Sequence, residues 1–91
     1  MSNDEARETL RKILEEVDTL IEQTVQSREE LAGIQADLDK FHGSGDVSVF
    51  GYDIRSAQVL RAKESTDWCI QRLERQRKLA FYQLQALEKD Q

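Results

Sequence analysis

Proline is absent from this sequence, and cysteine and histidine occur once each, as Cys69 and His42. Without proline, nothing in the covalent chain forces a break in a long helix. A lone cysteine excludes an intrachain disulfide and gives no sign of an oxidising compartment. One cysteine and one histidine do not make a zinc ligand set, so no metal is expected. No apolar run approaches the length of about 18 residues that a membrane span needs. The opening MSNDEARETL is too acidic and polar to read as a signal peptide. A soluble, cytoplasmic chain with no membrane partner is the expectation. Glycine is scarce as well. Three of the four glycines fall within GSGDVSVFGYDI, residues 43–54, which marks that stretch for chain reversal.

Charge is what the sequence has in quantity. Charged residues make up 34% of it, above the roughly 25% of an average domain, with 38% hydrophobic. That balance suits long, solvent-bathed helices better than a compact mixed fold. The net charge of −5 argues against a simple binder of nucleic acid or anionic membrane. It is unevenly placed: residues 1–42 hold eleven acids and five bases, residues 43–91 seven acids and eight bases. Two halves of opposite tendency are expected to pack on each other. At 91 residues the chain forms a single domain, 1–91, and one this small buries only about 60–65% of its unfolded surface.

Residues 3–42 carry a heptad pattern. With Leu10 at position a, the a series is Leu10, Val17, Thr24, Leu31 and Leu38, and the d series is Ile13, Leu20, Ser27, Ile34 and Phe41. Leu14 and Ile21 widen the stripe at position e. Five such repeats predict one helix over about 3–42. Ser2 with Glu5, or Asn3 or Asp4, supplies its cap, and Gly43 its end. Gly33 is the weak point, costing about 1 kcal/mol against alanine. A second helix is expected over about 53–88, opened by Asp53 as cap, with 43–52 as connection. Its apolar residues include Leu60, Trp68, Ile70, Leu73, Phe81 and Leu84.

Two helices of similar length joined by a short connection predict an all-α antiparallel two-helix hairpin of coiled-coil type. With the turn centred near residue 47, position i faces position 94 − i. Leu10 then meets Leu84, and the polar run 24–28 meets 64–67, bringing Arg28 to Asp67 and Thr66 towards Ser27. An apolar face three positions wide is more than one partner helix covers. The expectation is therefore that two hairpins associate as a homodimeric four-helix bundle. The predicted shared core is Leu10, Ile13, Leu14, Val17, Leu20, Ile21, Leu31, Ile34, Leu38, Leu60, Trp68, Ile70, Leu73, Phe81 and Leu84.

Groups for catalysis are few. His42 reads as a cation at a helix C-terminus, Cys69 as a small core residue. GSGDVSVFG lacks the lysine and the preceding strand of a phosphate loop. The basic run RLERQRK, with Arg72, Arg75, Arg77 and Lys78, is expected to pair with the acids of the first helix. No catalytic residue, cofactor or small-molecule substrate is expected. In the connection, Phe50 and Tyr52 are expected to cap the bundle end or to form a binding tip with Val47 and Val49. Glu15, Asp18 and Glu22 on the first helix make a second candidate surface.

These residues predict a non-catalytic protein-binding module: an adaptor, chaperone or inhibitor that holds another protein. In size, acidity and helical design the chain is similar to small acidic bacterial proteins of that kind, secretion chaperones and toxin-neutralising immunity proteins among them. That likeness is of architecture and rests on no motif. The alternatives are a structural coiled-coil subunit of a larger assembly, and a nucleic-acid binder using Arg72, Arg75 and Lys78.

Overall fold

A computed structural model of the chain describes residues 3–44 and 49–89. It contains two α-helices, α1 (Asn3–Ser44) and α2 (Val49–Lys89), folded against each other as a hairpin. The molecule is a rod of 66 × 17 × 14 Å. Forty-two helical residues at about 1.5 Å each account for its length. Neither helix is long and apolar enough to cross a membrane.

The predicted connection, 43–52, is shorter in the structure. Helix α1 runs on to Ser44 and α2 begins at Val49, four residues before the expected cap Asp53. Val49 and Phe50, placed by the sequence in the connection, lie in the first turn of α2. Val47 and Ser2 fall outside the described residues. The early start has a packing reason: Tyr52 sits on the inward face of α2, so the helix must already be formed there.

The register is the expected one. Half-buried and buried positions on α1 follow 7, 10, 14, 17, 21, 24, 28, 31, 35, 38 and 42. On α2 the corresponding series is 52, 56, 59, 63, 66, 70, 73, 77, 80, 84 and 87, where only Arg77, reaching across to Asp18, counts as exposed. Both series step by three and four, and each member of the first faces its 94 − i mate in the second. His42 against Tyr52, with ring centroids 4.1 Å apart, marks the last layer. Among the described residues Val17, Val59, Ile70, Ala80 and Leu84 are the buried apolar ones, and no side chain there is sealed completely.

Of the three apolar lines on α1, the a and e series turn inward against α2, and the d series does not. Leu14 and Ile21 join Arg7, Arg28, Gln35 and His42 at the seam. Ile13, Leu20, Ile34 and Phe41 are left 38%, 46%, 48% and 49% exposed. Polar contacts across the seam lie on the inward side of α1: Gln35 donates to Ser56, His42 stacks on Tyr52, and Asp18 and Asp39 accept from Arg77 and Tyr52. On α2 the expected core residues Leu60, Trp68 and Phe81 also face outward in the hairpin, Trp68 at 57% exposure. Val59 and Ala80 take the inward places instead.

Among the described residues three ion pairs cross between the helices. Arg28 reaches Asp67 at 3.1 Å, as the register predicts, Arg77 reaches Asp18 at 2.6 Å, and Arg11 reaches Glu88 at 3.3 Å. The hydroxyls in the polar layers stay within their own helices. Thr24 and Ser27 donate to the carbonyls of Leu20 and Gln23, and Thr66 to that of Lys63. The expected approach of Thr66 to Ser27 therefore makes no bond. A hydroxyl that returns to its own backbone can occupy an apolar stripe without an orphaned donor.

Candidate interaction surfaces

At the loop end the seam closes with a polar cluster. The Tyr52 hydroxyl donates to Asp39 Oδ1, and the Gln35 amide donates both to Asp39 Oδ1 at 2.9 Å and to Ser56 Oγ at 3.2 Å. The bond from Tyr52, then that from Gln35, holds the Asp39 carboxyl below its ordinary range, and the same Asp39 bond raises the Tyr52 phenol. His42 lies almost parallel to Tyr52, at 16°. This arrangement ties α1 to α2 where the chain reverses. Tyr52, a candidate for a binding tip, is therefore engaged within the hairpin.

The other sequence-predicted binding residues scatter. Val49 and Phe50 begin α2, and Val47 lies outside the described residues. Asp18 is held by Arg77. Glu15 and Glu22 are exposed on the side of α1 away from α2, aligned at heptad spacing with Glu8 and Glu29. The structure thus separates the acidic candidates from the loop candidates.

Apart from Leu79, the outward large apolar side chains among the described residues form three features. The first is the α1 stripe of Ile13, Leu20, Ile34 and Phe41. Beside Ile34 it borders a shallow groove between the helices, lined by Leu31, Leu38, Arg55, Val59 and Ala62. The second is the face of α2 opposite α1, where every seventh residue reads Ile54, Arg61, Trp68, Arg75, Tyr82. Ile54, Trp68 and Tyr82 are each about half exposed. The third is Leu60 and Phe81 on a flank of α2.

The basic run does not pair as a block with the first helix. Only Arg77 does so. Arg72 instead lies over the Trp68 ring, 4.6 Å from its centroid, one helical turn along α2. Arg75 and Lys78 make no ion pair among the described residues. The sequence alone points to Trp68 only as core and does not single out Tyr82. Their alignment with Arg61 and Arg75 becomes visible once the seam of α2 is known. Among the described residues no three histidine, cysteine or acidic side chains gather as a metal set. Cys69 is half-buried beside the seam.

Set against protein-family models, curated proteins and solved structures, the chain matches none. Its function is argued from its own residues.

Proposed function

We propose that this chain is a non-catalytic protein-binding module that works as a homodimeric four-helix bundle and holds a client protein on the surface the bundle leaves outside. One observation carries the reading. Ten large hydrophobic residues are 38–57% exposed, while only five apolar residues are buried. The accessible surface is 6944 Å², where a globular chain of 10.6 kDa exposes about 5,500 Å². Burying half-exposed side chains such as Leu20 and Ile34 contributes roughly 1 kcal/mol each, so a stripe of four on each of two copies outweighs a few screened surface charges. Sedimentation velocity across a range of concentrations tests it. A dimer dissociating only at high dilution is expected. A monomer at all concentrations defeats the bundle.

The client face that fits best is the outer side of α2. Tryptophan, tyrosine and arginine are the residues most enriched at binding hot spots, and Trp68, Tyr82, Arg61 and Arg75 stand on one line there. Their charge suits an acidic client, so an adaptor, chaperone or inhibitor of an acidic protein is the form proposed. A second reading, a structural subunit of a larger assembly, is favoured by the 66 Å rod with apolar residues on several sides. Binding to nucleic acid draws less support, because Arg72 is occupied by Trp68 and Arg77 by Asp18.

A further inference from the structure

The outward stripe of α1 has an internal symmetry. At seven-residue steps it reads Ile13, Leu20, Ser27, Ile34, Phe41: two apolar residues, a serine, two apolar residues. The order is the same from either end. A stripe of that kind is its own complement when a second copy runs antiparallel to it, which is the condition for a two-fold interface.

We propose, building on the homodimer reading, that the second copy docks α1 against α1, antiparallel, about a two-fold axis passing beside Ser27. Position i of one copy then faces 54 − i of the other. Ile13 meets Phe41, Leu20 meets Ile34, and Ser27 meets its own counterpart. The stripe spans 28 residues, about 42 Å of helix, so the contact runs along most of the rod.

The flank of α2 on the same side strengthens the choice. Arg55 and Ala62 line the groove beside Ile34, and the same heptad position continues through Cys69, Gln76 and Gln83. The other two-fold arrangement would lay α1 of one copy on α2 of the next. Ile13 and Leu20 would then press on Gln83 and Gln76, and Phe41 on Arg55. In the antiparallel α1 pairing Gln83 meets Arg55 and Gln76 meets the small Ala62 of the other copy instead, and Cys69 lies near the axis with Ser27.

Charge distinguishes the two arrangements by sign. Pairing α1 with α1 places Glu16 near Asp37 and Gln23 near Glu30 of the other copy, at the rim. Screening relieves that repulsion, so added salt tightens the dimer. Pairing α1 with α2 would set eleven acids and five bases (residues 3–44) against five acids and eight bases (residues 49–89), and salt would loosen it.

The test is disulfide trapping in full-length Cys69→Ser protein, alongside sedimentation at low and high salt. Ser27→Cys should cross-link to itself on copper-phenanthroline oxidation. Ile13→Cys should cross-link when mixed with Phe41→Cys but not alone, and the dimer dissociation constant should fall several-fold between 50 and 500 mM salt. These positions are exposed, so the variants keep the fold, and circular dichroism checks that. A dimer that instead traps Ile13→Cys with Gln83→Cys, or that weakens with salt, overturns this arrangement and leaves self-association standing. Protein that is monomeric throughout overturns both.

Discussion

His42 and Tyr52 stack with their ring centroids 4.1 Å apart, one from each helix, near the end where the two helices are joined. Ten residues separate them in sequence. Because Tyr52 also donates to Asp39, the pair fixes both the register of the hairpin and the point at which α2 must begin.

The Tyr52–Asp39 bond gives stability a defined pH window. The Asp39 carboxyl is lowered, first by Tyr52 and then by Gln35, against desolvation that acts in the opposite sense. Its contribution is present above the free carboxyl value of about 4 and is lost as pH falls through the lower folded value. The Tyr52 phenol is raised chiefly by Asp39. Its contribution is full below about 10 and disappears as pH rises through the higher folded value. Thermal midpoints should therefore form a plateau between about pH 5 and 9. Tyr52→Phe should lower the plateau and flatten both shoulders. Parallel curves for the two proteins would show that the bond is not formed in solution.

Ile70 and Leu20 test the inward and outward faces separately. Ile70 is buried opposite Thr24, so Ile70→Ala should lower stability by about 2–4 kcal/mol at any protein concentration. Leu20→Ser should leave the dilute monomer nearly unchanged but remove the rise in midpoint with concentration that association produces. Denaturant unfolding at 1 and 100 µM distinguishes the two. If Leu20→Ser destabilised the dilute protein as much as Ile70→Ala, the assignment of faces would be wrong.

Arg28 and Asp67 are about half exposed, so their pair is weak. Reversing one charge, Arg28→Asp, should cost about 0.5–1 kcal/mol at low salt. Adding Asp67→Arg should restore most of it. A double-mutant cycle with no coupling would place the two groups apart.

Gly33 is the simplest position to improve. It is exposed within α1, and a Cβ there would meet nothing within 4 Å. Gly33→Ala should raise stability by about 0.5–1 kcal/mol, through helix propensity and a less flexible unfolded chain. Unchanged or lower stability by urea unfolding would indicate that residue 33 is not in a regular helix.

Periodicity alone established that two helices exist and which residues share a line on each. Two helices of similar length with a turn centred near 47 also gave the alignment, in which position i faces 94 − i. Arg28 reaching Asp67 was legible for that reason. Periodicity does not say which of three adjacent apolar lines a neighbouring helix will cover. Leu14 and Ile21 went inside and Leu20 and Ile34 stayed out, the inward face being one that also carries Gln35 and His42, with Ser56 and Tyr52 as their mates opposite. That selection depends on side chains from two distant segments meeting in space. Only the tertiary structure brings them together, and it also draws the start of α2 back to Val49, where Tyr52 can close the seam.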